Sequence, residues 1–281
     1  MYQIIDKQIL APAIKQFIVC APDIAKKAQP GQFIILRIDD IGERIPLTIA
    51  DFDRQSGTIT LIFQEVGRTT YEMGKLDAGD YILDLVGPLG KASEIEPYGH
   101  VVCIGGGVGV APVYPITRAL KQAGNRVTSI IGARSKEHLI LKDEMAAVSD
   151  ELFVATDDGS EGQKGFVSDV LAQVIRQSDS IDLVVAIGPL PMMKAVSAVT
   201  KPFEIHTTVS LNPIMVDGTG MCGACRVSVG DETKFACVDG PEFDGHLVDW
   251  QLAQQRARMF TNEEGIAMKG FCAGGECQCQ K

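Results

Sequence analysis

Three cysteines and one aspartate near the C-terminus carry the clearest chemistry. The chain reads Val216-Asp217-Gly218-Thr219-Gly220-Met221-Cys222-Gly223-Ala224-Cys225, and Cys237 follows after eleven further residues. Counted from Asp217, the spacing is D-x4-C-x2-C-x11-C. A [2Fe–2S] centre takes thiolates spaced C-x4-C-x2-C with a distant fourth Cys. Here a carboxylate holds the first place. Small residues fill the loop, as they must where backbone N–H groups approach cluster sulfides. The spacing points to a [2Fe–2S] cluster ligated by Asp217, Cys222, Cys225 and Cys237, and so to the handling of single electrons. A zinc half-site and a redox C-x-x-C pair are the alternatives. A structural zinc ion wants four Cys or His donors. Only Cys237 follows at useful range, and His246 fits poorly.

The remaining cysteines and histidines offer less. Cys20 and Cys103 lie in apolar strands and read as inert core residues. Cys272, Cys277 and Cys279 fall in the last ten residues. They read as loose thiols, because tails are usually poorly ordered, with metal ligation or a redox disulfide as alternatives. His100, His138, His206 and His246 are isolated and read as structural. No nucleophile–base pair is visible, so no catalytic acid–base residue is assigned.

Elements must position these groups. Residues 1–97 read as all-β, with runs such as Gln32 to Ile38 and Thr58 to Phe63 separated by Gly, Pro and Asp turns. That pattern suits a small antiparallel barrel. From about residue 98 the rhythm changes. Strands at Val101 to Ile104, Val127 to Ile131, Leu152 to Ala155 and Leu183 to Ile187 alternate with helical stretches, the first running through Ala123. Such alternation means a doubly wound parallel sheet, whose strands are covered on both faces. Residues 211–281 form a small C-terminal iron–sulfur segment with the Cys-containing tail. Within it His246 to Phe260 is expected as a helix, with Leu247, Trp250, Ala253, Ala257 and Phe260 on one face. The expected fold class is β-barrel plus α/β in three units, 1–97, 98–210 and 211–281.

Four further motifs suit nucleotides. Gly105, Gly106, Gly107, Val108, Gly109, Val110, Ala111 and Pro112 follow a strand and open a helix, where backbone N–H groups can close on a pyrophosphate. Arg44-Ile45-Pro46-Leu47-Thr48 offers a guanidinium fork for a diphosphate and a hydroxyl near a planar ring, or is an ordinary strand edge. Gly67, Arg68, Thr69 and Thr70 precede a helix expected at Tyr71 to Leu76 and present N–H groups and hydroxyls, or merely cap it. Gly188-Pro189-Leu190-Pro191-Met192-Met193 lies past a strand's carboxyl end, where open α/β sheets place ligands, or is a plain connection. Arg134 faces an adenine ribose or solvent, and Asp157 heads a turn after a strand.

Composition bounds the rest. At 281 residues, with 46% hydrophobic content, the chain has material for two full cores. A formal net charge of −10 argues against a nucleic-acid partner. No run of eighteen apolar residues predicts a membrane span. The first residues lack the layout of a signal peptide, and eight cysteines fit a reducing compartment, so a cytoplasmic location is expected.

In their order these motifs resemble the ferredoxin–NADP reductase superfamily. In that resemblance Arg44 to Thr48 is the flavin motif and Gly67 to Thr70 the second flavin-phosphate contact. Gly105 to Pro112 is the nicotinamide-cofactor loop, and Gly188, Pro189 and Met192 cover the nicotinamide side. Ile187 stands where many of these reductases have Cys, so no thiol role in hydride transfer is implied. Ser210 to Val227, with Asp217 at the first ligand position, resembles the small subunits of NADH-dependent reduced ferredoxin:NADP oxidoreductase, also called sulfide dehydrogenase. It resembles less the dihydroorotate dehydrogenase B electron-transfer subunits, which have Cys there. The resemblance covers residues 1–265 and implies FAD, a [2Fe–2S] cluster and NAD(H). It further implies a heterodimer with a larger flavin and iron–sulfur subunit that handles NADP(H) and ferredoxin, and flavin-based electron bifurcation by the pair.

Overall fold

The computed structural model describes residues 1–273. Its first unit has seven strands: β1 (Tyr2–Ala11), β2 (Ile14–Cys20), β3 (Phe33–Arg37), β4 (Ile45–Asp53), β5 (Thr58–Gln64), β6 (Tyr81–Ile82) and β7 (Asp84–Leu89). Helices α1 (Pro22–Lys27) and α2 (Arg68–Lys75) lie between them. The strand order is β6-β1-β2-β5-β4-β3-β7 and the pairings are antiparallel. Only Leu83 separates β6 from β7, so one stretch of chain joins both edges of the sheet and nearly closes a barrel. Ile59, Leu61 and Phe63 alternate inward along β5, and Phe63 meets Phe17 edge-on at 5.1 Å.

β3 breaks that alternation. Phe33, Ile34, Ile35 and Leu36 are all buried. Ile34 and Leu36 fill the barrel, while Phe33 and Ile35 join the core of the next unit together with Cys225 and Cys237. The continuous apolar run reflects a strand covered on both faces.

The second unit comprises β8 (His100–Gly106), α3 (Val110–Gln122), β9 (Arg126–Ala133), α4 (Lys142–Ala147), β10 (Glu151–Thr156), β11 (Gln163–Lys164), α5 (Val167–Gln177), β12 (Leu183–Ile187), α6 (Leu190–Thr200) and β13 (Thr207–Ser210). After it come the hairpin β14 (Arg226–Val229) and β15 (Glu232–Phe235), then β16 (Glu242–Asp244), α7 (Trp250–Ala257) and α8 (Thr261–Ala273). The sheet order is β11-β10-β9-β8-β12-β13-β16, parallel except for β16. The chain runs outward from β8 through β9 to β10, then returns to β12 on the other side of β8. That reversal is the switch point at which such sheets bind ligands. Because β16 adds to β13, the C-terminal segment is built into the nucleotide sheet. Among the described residues no helix is long and apolar enough to cross a membrane.

Three expectations need correction. The helix expected at 246–260 spans only Trp250–Ala257, because Asp249 caps it by accepting from the Leu252 N–H at 2.9 Å. Its stripe is not a buried face: no residue of α7 is buried, and Leu247 and Phe260 are exposed. α2 begins at Arg68, one turn ahead of the expected Tyr71. The tail begins as helix α8, whose Phe271 packs on Tyr71 and under the Lys75 ammonium, returning the chain to the barrel. Cys277, Cys279 and the side chain of Cys272 lie outside the described residues.

The units are joined at a small polar knot. Ser93 Oγ donates to Glu242 on β16 at 2.5 Å, the Lys91 N–H donates to Gly240 O at 2.7 Å, and Gly31 of the barrel leaves no room for a Cβ beside Ser93. Burial pushes the Glu242 carboxyl up to about 7, against the lowering effect of the Ser93 hydrogen bond. The folded state therefore keeps a proton that the unfolded chain releases near pH 4.3. That stabilisation is full below about pH 4.3 and is lost as pH rises through about 7. Glu242→Gln removes the titration. Its stability relative to wild type should rise between pH 5 and pH 8 by on the order of 2 kcal/mol. Urea unfolding of both proteins at the two pH values checks this, and a pH-independent difference would contradict it.

Candidate functional site

The glycine loop sits at the switch point because no other residue fits there. β8 ends in Gly105-Gly106, Gly107 to Gly109 make one tight turn, and α3 starts at Val110. Gly107 has φ +56°, in the left-handed region. A Cβ on Gly109 would overlap the carbonyl of Ile187, and one on Gly106 would overlap the Met192 sulfur. The loop Gly105 to Gly109 is thus packed against Gly188, Pro189 and Met192, two stretches 80 residues apart that sequence reasoning assigned separately. Val108 is half-buried and Ala111 buried against the sheet. Pro112 lies in the first turn of α3, where the N–H it lacks has no intrahelical partner. Gly106 is in register with Gly132, so the chain leaving β9 at Arg134 emerges beside the loop. The Asp157 N–H donates to Ala133 O at 3.1 Å, which sets Asp157 next to exposed Arg134.

The barrel motifs also meet. Exposed Arg44 leads into β4, on which Pro46, Leu47 and Thr48 pair with Ile35, Ile34 and Phe33 of β3. Thr69 Oγ donates to Glu43 Oε2 at 2.9 Å, bringing the start of α2 against the residue before Arg44. Arg68 pairs with Glu72 at 2.8 Å on its own helix. Thr70 Oγ accepts from the Gly67 N–H at 3.0 Å. The hydroxyls of Thr69 and Thr70 therefore already have partners. What this turn offers a phosphate is the first-turn backbone N–H groups of α2.

In the cysteine loop the four expected donors form two pairs. Asp217 Oδ1 accepts from the Thr219 N–H at 2.6 Å and the Thr219 hydroxyl at 3.0 Å, and Oδ2 accepts from the Cys222 N–H at 2.9 Å. The Thr219 N–H and the Cys222 thiol hold the carboxyl down to about 2. Cys225 and Cys237 lie 3.2 Å apart, sulfur to sulfur, and both are buried. Burial, and then Cys225, push the Cys237 thiol up to about 12. Gly218, Gly220 and Gly223 take positive φ and turn the backbone around the donors. Among the described residues no three thiol, carboxylate or imidazole groups converge as around a single ion. A lone structural zinc would need four donors at one point. A two-iron cluster takes two ligands on each iron, and two thiolates on one tetrahedral iron lie about 3.7 Å apart for metal–sulfur bonds of about 2.3 Å. The donor set fits such a cluster in type and in pairing.

Sequence reasoning missed what clamps these parts together. Arg118 on α3 makes a two-pronged ion pair with Asp51 on β4, at 2.9 and 2.5 Å. The helix behind the glycine loop is thereby fixed to the strand that carries Thr48. No local signature predicts a pairing 67 residues apart. The cysteine loop is fixed as closely: a Cβ on Gly218 would come within 2.6 Å of Leu89 and 2.9 Å of Ile35.

Comparison with known proteins agrees with this geometry. Residues 103–198 match an oxidoreductase NAD-binding domain. Residues 212–249 match the iron–sulfur cluster binding domain of dihydroorotate dehydrogenase B. A Thermotoga maritima protein named as a homolog of the dihydroorotate dehydrogenase B (NAD(+)) electron transfer subunit is 48% identical over 269 residues, which cover 96% of this chain and 95% of the relative. The corresponding electron transfer subunit of Geobacillus thermodenitrificans is 31% identical, covering 85% of this chain and 94% of the relative. A solved structure of the NADH-dependent reduced ferredoxin-NADP oxidoreductase, described for flavin-based electron bifurcation, superposes with a TM-score of 0.92 at 46% identity, over 97% of this chain and 98% of that one. The chain therefore belongs to the family of dihydroorotate dehydrogenase B electron-transfer subunits, NAD-linked oxidoreductase components that carry FAD and a [2Fe–2S] cluster.

Proposed function

We propose that this chain is the small subunit of an electron-bifurcating, NADH-dependent ferredoxin:NADP oxidoreductase, exchanging hydride with NAD(H) and passing single electrons to a larger partner. The carrying observation is the meeting of three motifs at one wall: Thr48 and Pro46 in register with β3, Gly218 pressed on Ile35 of β3, and the glycine loop clamped to β4 through Arg118 and Asp51. When bound, FAD accepts a hydride from NADH and the cluster carries one electron at a time, so the flavin must stand between two-electron and one-electron chemistry.

The chain's residues position and shield. Arg44 and the start of α2 hold the flavin diphosphate, and Thr48 presents its hydroxyl to the ring. Gly105 to Gly109 hold the dinucleotide pyrophosphate, with Gly188, Pro189 and Met192 closing the nicotinamide side. Asp217 and Cys222 would hold one iron, and Cys225 and Cys237 the other. Val216 and Met221 are exposed beside these donors, and Val238 flanks them. Apolar side chains rimming a redox centre suit a docked protein, here the larger flavin and iron–sulfur subunit that handles ferredoxin and NADP(H). The units fall at 1–97, 98–210 and 211–281. A cysteine-rich iron–sulfur chain of this kind works in the reducing cytoplasm.

The second reading, an electron-transfer subunit of dihydroorotate dehydrogenase B, is favoured by the match of residues 212–249. Asp217 weighs against it, whereas identity does not separate the two, at 48% to the Thermotoga maritima homolog and 46% to the bifurcating enzyme. Native purification with the partner distinguishes the two. NADH oxidation coupled to ferredoxin and NADP supports the first reading, and NAD reduction by dihydroorotate overturns it.

Substitutions test both the flavin site and the cluster site. Arg44→Ala removes a charge-assisted diphosphate contact of roughly 1.5–3 kcal/mol, so FAD affinity should fall about 10- to 100-fold. Flavin titration of the apoprotein measures it, and unchanged affinity rejects the assignment. At the cluster, Cys222→Ser should lose the centre, because a hard hydroxyl replaces thiolate poorly on iron. Asp217→Cys should keep a centre of lower potential, since thiolate donates more electron density. Changing Cys272, Cys277 and Cys279 together should leave the spectrum intact. Electron paramagnetic resonance of the reduced variants with redox titration reads all three. Loss of the signal in the triple variant, with Asp217→Ala unchanged, would move a ligand into the tail.

A further inference from the structure

We infer that Glu161 sets the nicotinamide specificity of this chain, excluding a 2′-phosphorylated dinucleotide by holding both lysines that would otherwise receive the phosphate. The inference rests on the reading of Gly105 to Pro112 as the pyrophosphate loop. In a doubly wound sheet, the group that tells a ribose 2′-hydroxyl from a 2′-phosphate stands past the strand that follows the glycine-loop helix. That strand is β9, which lies beside β8 with Gly132 opposite Gly106.

The chain leaving β9 carries three cations, Arg134, Lys136 and, at the start of α4, Lys142, interleaved with the acids Glu137, Asp143 and Glu144. Its lysines are the groups on this edge that could receive a phosphate. The neighbouring loop takes both of them. Lys136 Nζ is 3.3 Å from one Glu161 oxygen, and Lys142 Nζ bonds the other. Lys142 first, and then Lys136, hold the Glu161 carboxyl below the usual range, so it is charged at neutral pH.

The clamp is built into the backbone. The Glu161 N–H donates to the buried Thr156 hydroxyl at 3.1 Å, and that hydroxyl donates to Glu161 O at 2.7 Å. The Lys136 N–H donates to Ser160 Oγ at 2.7 Å, tying the two loops together. Ser160 in turn donates to Asp158 through its N–H at 2.9 Å and its hydroxyl at 2.6 Å. A 2′-phosphate entering between the lysines would meet Glu161, a fixed like charge that cannot swing away without breaking two ion pairs. A free 2′-hydroxyl meets no such conflict, so the ligand class is the unphosphorylated dinucleotide.

The test is rapid-mixing reduction of the flavin in the holoprotein by NADH and by NADPH. Glu161→Gln keeps the size and the main-chain bonds to Thr156, and Glu161→Ala serves as a second variant with the same expected direction. Either should raise NADPH efficiency roughly tenfold or more, the scale of a removed like-charge contact, with NADH changed less than about twofold. Adding Lys136→Gln and Lys142→Gln to Glu161→Gln should abolish the gain. An unchanged NADPH to NADH ratio in both Glu161 variants overturns the inference, as does a gain that survives loss of both lysines. A wild-type flavin that neither nucleotide reduces overturns the nucleotide-site reading itself, and the inference with it.

Discussion

The closeness of the cysteine loop to one barrel strand is the constraint on which the rest of the molecule depends. Gly218 has φ +78° and lies against Ile35 and Leu89 with no space for a methyl group. Only glycine supplies both the conformation and the approach. Single-electron transfer weakens steeply with distance, so a side chain at this point would push the donor set away from the flavin motif on β4. The two-sided burial of β3 follows from the same requirement. Its Ile34 and Leu36 hold the barrel together while Phe33 and Ile35 receive the cysteine segment. One strand is thus the floor of two cores, and neither unit can move without disturbing the other.

The nucleotide half was legible because its physics is local. Parallel strands covered by helices are short apolar runs that end in glycine, and β8, β9, β10 and β12 each fall within a residue or two of where the sequence places them. β3 was legible as a strand, but not as a strand serving two cores, since an apolar run does not say what lies on each face. The helix at Trp250–Ala257 is shorter than its apolar stripe implies, because that stripe does not face a core. Of that stripe, Ala253, Ala257 and Phe260 instead line a cavity of about 230 Å³ beside Leu211 and Arg256. Helix α8 escaped notice because Gly265 and Gly270 interrupt it and a polar stretch, Thr261 to Glu264, opens it.

What the sequence conceals is the partner of each charge. Asp51 with Arg118, Ser93 with Glu242, and Glu161 with Lys136 and Lys142 are pairs whose members are separated by 19 to 149 residues. A charged residue on a loop or strand edge reads as solvated until the fold supplies its neighbour. These pairs matter because each sits where two parts of the fold meet: glycine-loop helix to β4, barrel linker to cysteine segment, and the loop after β9 to the loop after β10. Motifs announce which groups are bound, whereas such pairs decide how the bound groups face one another.

The proposed cluster ligands show the same division between type and placement. Cys225 and Cys237 are buried in the core that contains Ile35, while Cys222 is exposed and Asp217 is only half-buried. The all-sulfur pair therefore faces the protein, and the pair containing oxygen faces outward. Within the outer pair the thiol of Cys222 is the more exposed donor and the one open to oxidation, while Asp217 is half-buried. Asp217 tolerates that position because the loop itself fixes it. Two backbone N–H groups and the Thr219 hydroxyl hold its oxygens, leaving carboxylate lone pairs for a metal. The residues that follow Asp217 are thus part of its chemistry. Gly218 lets the chain turn and approach the barrel, and Thr219 and Cys222 return their N–H groups to the carboxylate, so that a ligand weaker than thiolate arrives charged and aimed.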